Sequence, residues 1–185
     1  MITSAHNPKI QWLRKLQSQP KARRSEGVFV VEGVRLAEEA LKAGWPAQLV
    51  LHAEDLSERG LAVVAGFAAR GVPVETATES VFKAASDTET PQGLLVALTL
   101  QPQPLPPTPD FVLIPDGVRD PGNLGTLLRT AAAAGVQAVL LPPGTADAYA
   151  PKVLRAAMGA HFRLALQALD WPEIRQLVHH TNLPL

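Results

Sequence analysis

The sequence has no cysteine, few aromatic residues and no excess of charge of either sign. Aromatic residues make up 5% of its 185 residues, and 17 Lys and Arg balance 17 Asp and Glu. Without cysteine there is no disulfide framework, no cysteine-bound zinc and no cysteine nucleophile. The five histidines show no metal-ligand spacing with nearby carboxylates, so no metal site is predicted.

Long apolar runs are also missing. Apolar runs such as residues 111–115 and 136–142 fall far short of the roughly 20 residues that cross a bilayer. The N-terminus is polar and basic and lacks the apolar core of a secretion signal. The hydrophobic fraction of 46% is ordinary for a globular domain and too high for disorder. We therefore expect a cytoplasmic globular protein with no membrane partner.

The balanced total hides a basic N-terminus. Residues 1–35 hold seven basic and two acidic side chains. Such a cluster is consistent with the solvated face of an amphipathic helix, or with an arm that contacts phosphate groups. Charge alone leaves both interpretations open.

A proline-rich segment divides the chain. Residues 101–109 carry five prolines and predict an extended linker between residues 1–100 and 110–185. Hydrophobic periodicity in the first part predicts helices alternating with strands, which indicates a small α/β/α layered domain. The predicted elements are helices Pro8–Ser18, Gly33–Ala43, Ser57–Arg70 and Glu79–Ala85, and strands Val28–Val31, Ala47–Leu51, Val72–Val74 and Leu94–Leu100.

The second part repeats a strand–loop–helix order three times. Three apolar segments predict strands, a helix is expected from about Leu124 to Gly135, and Pro151 suits the first turn of the next helix. This order predicts a parallel sheet. The predicted strands are 111–115, 136–142 and 161–166, and the last helix is Trp171–His179.

Ligands of open parallel sheets bind beside the carboxyl ends of the strands, where loops 116–125 and 143–150 are expected. The glycine spacing in the first loop is not GxGxxG, which disfavours a dinucleotide enzyme. Asn123 could cap the following helix, and Arg129 is either a surface side chain or a functional one. Lys152 and Arg155 share a helix face near an N-terminus, where cations are disfavoured unless they meet an anion such as phosphate.

Several segments together resemble the SpoU (TrmH) family of RNA ribose 2′-O-methyltransferases and the substrate-binding domain that precedes the catalytic domain in many members. The resemblance covers nearly the whole chain. Two motifs carry the likeness to the catalytic domain: DGVRDPGNLGTLLRTAAAAGV and LPPGTADAYAPKVLRAAMGAHFRL. Three segments carry the likeness to the substrate-binding domain: SAHNPKIQWLRKL, RRSEGVFVVEGVRLAEEALKAG and FKAASDTETPQGLLVAL.

The resemblance implies a SPOUT-type α/β domain with a trefoil knot, S-adenosylmethionine as methyl donor, and a homodimer with the active site at its interface. It implies an RNA substrate, with ribosomal RNA favoured, and catalytic roles for Asn123 and Arg129. The basic arm and the second-loop cations then become RNA contacts. These expected contacts are Lys9, Arg14, Lys15, Arg23, Arg24, Lys152 and Arg155.

The sequence also departs from the family pattern. Members continue beyond the region matching 161–185 with segments that form most of the methyl-donor pocket, so no donor-binding residue is assigned here. Ala150 and Ala157 stand where the family favours asparagine and serine. The parallel-sheet domain is therefore expected to be partial and incomplete for catalysis. Two alternatives stay open: a non-catalytic RNA-binding protein of the same family, and a nucleotide-binding α/β module of a metabolic enzyme.

Overall fold

A computed structural model describes residues 1–101 and 103–181. The chain divides into two compact units, one of Met1–Leu100 with Tyr149–Pro151, the other of Gln101–Ala148 with Lys152–Leu185. Within the described residues, no helix has the length and apolar character needed to cross a membrane. The expected linker and domain boundaries stay predictions, and Pro102 and residues 182–185 lie outside the described residues.

The first unit is a four-stranded mixed sheet with helices. Strand order is β1-β4-β2-β3; β4 runs antiparallel to β1 and β2, whereas β2 and β3 are parallel. The helices are α1 (Pro8–Ser18), α2 (Pro20–Glu26), α3 (Val34–Lys42), α4 (Glu58–Ala68) and α5 (Glu79–Ala85). The strands are β1 (Val28–Glu32), β2 (Ala47–Ala53), β3 (Val74–Ala77) and β4 (Leu94–Thr99).

The amphipathic pattern of α1 explains its place in the core. Ile10, Leu13 and Leu16 recur at helical spacing and are fully buried against the sheet, together with Phe82 of α5. The predicted bounds of α1 and α5 are confirmed. Helix α2 was not predicted, because its polar sequence PKARRSE lacks an apolar stripe.

The second unit is a three-stranded parallel sheet in the order β5-β6-β7, which confirms the predicted sheet type. Its strands are β5 (Val112–Leu113), β6 (Ala138–Leu141) and β7 (Ala165–Ala168). Its helices are α6 (Pro121–Ala134), α7 (Pro151–Ala157) and α8 (Trp171–Thr181). The prediction of a strand from His161 is wrong, because residues Ala160–Phe162 form a 3₁₀ turn before β7. The knot stays a prediction.

Candidate active site

The loops that follow β5 and β6 are bonded to each other at the carboxyl edge of the parallel sheet. The backbone N–H of Ala146 donates to the carbonyl oxygen of Val118 at 2.9 Å. The hydroxyl of Thr145 donates to the carbonyl oxygen of Pro115 at 3.0 Å. These two hydrogen bonds connect the two loops. They are the loops in which the sequence predicts the candidate site.

Helix α6 begins at Pro121, three residues earlier than expected, and Asp120 is its N-cap. The Asp120 carboxylate accepts a hydrogen bond from the backbone N–H of Asn123 at 2.8 Å. The idea that Asn123 caps the helix is therefore wrong. As the third residue of the helix, Asn123 has an exposed side chain that is free of the capping role.

The first turns of α6 and α7 meet through Asp120 and Lys152. The second carboxylate oxygen of Asp120 lies 4.0 Å from the Lys152 ammonium, and both side chains are more than half exposed. A pair this long and this exposed contributes little to stability. Arg155 lies one turn further along α7 and is partly buried. The predicted helix face shared by Lys152 and Arg155 is thus present, with Lys152 beside the start of α6.

Gly125 allows α6 and α7 to pack closely. A Cβ added at this position would lie 2.5 Å from the Cβ of Ala156 and 2.7 Å from the carbonyl oxygen of Val153. Because the second neighbour is backbone, no rotation of a side chain would relieve the overlap. The absence of a side chain at Gly125 therefore sets the distance between the helices that carry Asn123 and Lys152.

Arg129 extends from the exposed side of α6, six residues after Asn123. Six residues span about 9 Å along a helix, so the two side chains share one helix without touching. A guanidinium nitrogen of Arg129 donates to the sulfur of Met158 at 3.3 Å. This partner is uncharged, so the contact does not neutralise the guanidinium.

The expected RNA contacts on the N-terminal arm differ in whether their charged groups already pair with a carboxylate. The ammonium of Lys9 pairs with Glu75, and that of Lys15 lies 3.3 Å from Glu26. The indole N–H of Trp12 also bonds to Glu26, and this bond, with the nearby Lys15, lowers the pKa of that carboxyl. The charged carboxylates offset part of the positive field that the composition suggested. Arg14 and Arg24 are exposed, and their predicted role is untested.

Arg23 requires a correction. Its side chain is only 3% exposed, and its guanidinium donates to the carbonyl oxygens of Leu16 and Gln17 at 2.5 and 2.9 Å. These carbonyls lie in the last turn of α1, where no intrahelical donor remains for them. Arg23 thus joins α2 to α1 and is unavailable for an RNA phosphate, contrary to the prediction.

A cleft of about 840 Å³ in the first unit was missed by the sequence reasoning. Arg35, Arg59 and Lys83 line it, together with the acidic side chains Asp55, Glu79 and Glu89. It lies where β2 ends and α3, α4 and α5 begin. The signal that could have indicated it is its place beyond the carboxyl end of β2, which pairs in parallel with β3.

The segment that leads into the cleft residues is held by Glu32 at the end of β1. Its carboxylate accepts hydrogen bonds from the Ser86 hydroxyl, from the backbone N–H of Asp87 at 3.1 Å and from the Thr88 hydroxyl at 2.6 Å. Three donors on one carboxylate fix the segment after α5, which leads into the cleft residues 89–93.

His161 is a buried side chain that is hydrogen-bonded to the loop after β6. It is 1% exposed, and its Nε2 donates to the carbonyl oxygen of Ala148 at 2.7 Å. Burial lowers the pKa of His161 to about 4, against smaller opposing effects of the Ala148 bond and the Asp147 charge. The ring is therefore neutral near neutral pH. Residues 1–101 and 103–181 contain no cluster of three or more His, Asp or Glu side chains that could hold a metal ion.

Comparison with known proteins identifies both parts of the chain. Residues 7–96 match the MRM3-like substrate binding domain, and residues 110–184 match the SpoU rRNA Methylase family. The chain is 33% identical over 187 residues to an uncharacterized tRNA/rRNA methyltransferase of Synechocystis, covering 100% of this chain and 68% of the relative. It is 38% identical over 172 residues to the 23S rRNA (guanosine(2553)-2′-O)-methyltransferase RlmP of Bacillus subtilis, covering 92% and 66%.

Comparison with solved structures gives the same family as the sequence comparisons. The crystal structure of an rRNA methyltransferase from Sinorhizobium meliloti superposes with a TM-score of 0.86 at 30% identity, covering 97% of this chain and 69% of that one. The AdoMet-bound form of that protein gives a TM-score of 0.85 at 29% identity.

The fold is thus that of an α/β RNA methylase. The chain belongs to the SpoU rRNA methylase family and carries an MRM3-like substrate-binding domain. This membership excludes the module of a metabolic enzyme. The chain spans 66% of the length of the Bacillus relative, slightly less than two thirds.

Proposed function

We propose that the protein transfers a methyl group from S-adenosylmethionine to a ribose 2′-hydroxyl of ribosomal RNA. The observation that carries the proposal is Arg129, an exposed guanidinium with an uncharged partner on α6, the helix that begins at the carboxyl edge of the parallel sheet and carries Asn123 in its first turn. The Bacillus relative, of which this chain covers 66%, is named as a ribose 2′-O-methyltransferase of ribosomal RNA.

Arg129 acts in this proposal as a fixed positive charge. A guanidinium is not readily deprotonated in proteins, so Arg129 is a poor general base. It can hold the phosphate next to the target ribose, and it can stabilise negative charge on the 2′-oxygen as the proton leaves. The Asn123 amide can both donate and accept hydrogen bonds, and so it can orient the same ribose.

The described residues fit the acceptor side of this reaction better than the donor side. At the starts of α6 and α7 they provide the cation Lys152, an amide and the carboxylate that caps α6, and α6 carries the second cation, Arg129, further along. Such groups suit a phosphate and a hydroxyl, whereas the sulfonium of S-adenosylmethionine is itself a cation. S-adenosylmethionine stays the proposed donor because the Sinorhizobium relative binds AdoMet. No donor-binding residue is assigned in this chain.

The first unit supplies RNA contacts in the proposal. Arg14 and Arg24 remain candidates from the arm, and the cleft adds Arg35 and Lys83, both exposed. Lys152 and Arg155 are kept as candidate contacts of the second unit. Lys9 and Lys15 can take part only by exchanging a carboxylate partner for a phosphate. Contacts of this kind weaken steeply as salt rises.

We also propose that the protein is a homodimer and that it acts in the cytoplasm. A dimer with the active site at its interface is expected from the family. Sedimentation equilibrium tests it, with a monomer at micromolar concentration as the contrary result.

A specific experiment tests the function. Ribosomal RNA from the source organism, with and without the gene, is mapped for 2′-O-methylated nucleotides. We expect one modification to disappear with the gene and to return with the wild-type gene or with Arg175→Ala, an exposed site on α8. Arg129→Ala should not restore it. An unchanged map would reject methyl transfer to ribosomal RNA and favour the non-catalytic RNA-binding alternative.

A further inference from the structure

Met158 has an unusual backbone. Among residues 1–101 and 103–181 it is the one non-glycine residue with positive φ, at 49°. This left-handed conformation is unfavourable for a residue that has a Cβ atom, whereas glycine adopts it freely. The next residue is a glycine with φ of 86°, so the chain turns sharply between α7 and the 3₁₀ turn. Strain of this kind at the edge of a candidate site points to a use for the side chain.

The Met158 side chain reaches Arg129. Its sulfur lies 3.3 Å from a guanidinium nitrogen of Arg129, although the two residues are 29 positions apart. The side chain is also 37% exposed, so burial alone does not explain a methionine here. The strained backbone of Met158 therefore directs a flexible, polarisable thioether toward the candidate catalytic arginine.

The chemistry of this contact suits a functional arginine. A thioether sulfur is a weak acceptor and carries no charge. It can orient one N–H of the guanidinium while the other donors and the positive charge stay available. A carboxylate in place of the sulfur would bind the guanidinium through two hydrogen bonds and neutralise its charge. Sulfur thus restricts the direction of Arg129 without competing with an RNA phosphate.

We propose that Met158 is a positioning residue that holds the Arg129 guanidinium in its reactive direction through the sulfur contact. The proposal rests on the proposed function, because it assigns a partner to the arginine of that site. It assigns the cost at residue 158 to the strained backbone and the benefit to the sulfur contact.

The contact itself is tested without any measurement of activity. The sequence has two methionines, Met1 and Met158, so ¹³C-methyl methionine labelling gives a simple spectrum. We expect Arg129→Lys to shift the Met158 methyl signal, and Arg175→Lys on α8 to leave it in place. A Met158 signal that does not respond to Arg129→Lys overturns the proposal, whether or not the protein proves to be a methyltransferase.

The role is tested by kinetics on the complete gene product. Met158→Leu keeps the bulk and loses the sulfur, whereas Met158→Gly relieves the strain and loses the sulfur. We expect both to lower kcat about tenfold with little change in KM for RNA, because misdirection of a catalytic group affects the reaction step. In an Arg129→Lys background, which has no guanidinium for the sulfur to orient, Met158→Leu should cause no further loss. Normal kcat in Met158→Gly, or an additive loss in the double variant, overturns the proposal.

Discussion

The carboxylate of Asp120 accepts a hydrogen bond from the backbone N–H of Asn123 at 2.8 Å, and this bond fixes where α6 begins. The start of the helix in turn decides which side chains of its first turns are exposed and which are buried. With Asp120 as cap and Pro121 in the first position, Asn123 is exposed, whereas Leu124 and Gly125 are buried against the rest of the unit.

Removal of this cap should weaken the helix that carries the site. We expect Asp120→Ala to lower the free energy of unfolding by about 1 kcal/mol, since one N–H at the helix start loses its acceptor. Asp120→Asn keeps an oxygen acceptor and should cost far less. Urea denaturation of both variants measures the difference. Equal losses in the two variants would show that the charge of Asp120, and not its capping bond, matters.

The close approach of α6 and α7 predicts a strong effect at Gly125. Gly125→Ala should destabilise the protein by roughly 2–3 kcal/mol, because the added Cβ overlaps the backbone of α7. Gly66→Ala is the matched control in α4, since its Cβ would meet only the tip of the Leu41 side chain, which can move. Thermal denaturation compares them. A Gly125→Ala protein as stable as the control would contradict the packing described for these helices.

Arg23 and Arg24 are neighbours in sequence with opposite roles. Arg23→Ala leaves buried carbonyl oxygens at the end of α1 without a donor, so we expect a loss of about 1–3 kcal/mol in stability. Arg24→Ala should change stability by less than about 0.5 kcal/mol. It should instead weaken RNA binding and reduce the slope of log affinity against log salt by about one.

Denaturation and salt titrations of the two variants separate these roles. A stable Arg23→Ala protein with weakened RNA binding would restore the original prediction for Arg23. An Arg24→Ala protein with unchanged RNA affinity would remove Arg24 from the candidate contacts.

Much of the fold was predictable because it depends on local periodicity. The bounds of α1 and α5 and the parallel sheet of the second unit follow from apolar spacing and from the strand–helix order. The antiparallel place of β4 between β1 and β2 depends on pairing between distant segments, which periodicity does not encode.

The candidate site was predicted only in part, because it too depends on contacts between distant segments. Residues 121–123 have the sequence Pro-Gly-Asn, which is typical of a loop, so the start of α6 was placed too late. Arg23 looked like its exposed neighbour because its burial depends on contacts with α1. The contact between Arg129 and Met158 depends on a positive φ at residue 158, which a methionine in the sequence does not signal.

His161 predicts a pH dependence of stability. Its pKa in the folded state is about 4, below the ordinary 6.5, so the unfolded chain takes up a proton first as the pH falls. The free energy of unfolding should therefore decrease as pH drops from about 7 toward 4, by about 3 kcal/mol at most from this group. Above about pH 7 the group should have no effect.

Denaturant titrations near pH 7 and near pH 5 measure this effect. His161→Gln keeps an N–H donor for the Ala148 carbonyl but cannot become charged, so the decrease should be smaller in this variant. His6→Gln, at an exposed site, should behave like the wild type. The same pH dependence in His161→Gln and the wild type would show that other groups cause the decrease.

The most direct test of the central claim is the chemical position of the transferred methyl group. The complete gene product is incubated with ribosomal RNA and S-adenosylmethionine that carries a labelled methyl group, and the RNA is digested to nucleosides for mass spectrometry. We expect label on a ribose 2′-oxygen, lost in Arg129→Ala and retained in Arg175→Ala. Label on a base, or full transfer by Arg129→Ala, would contradict the central claim.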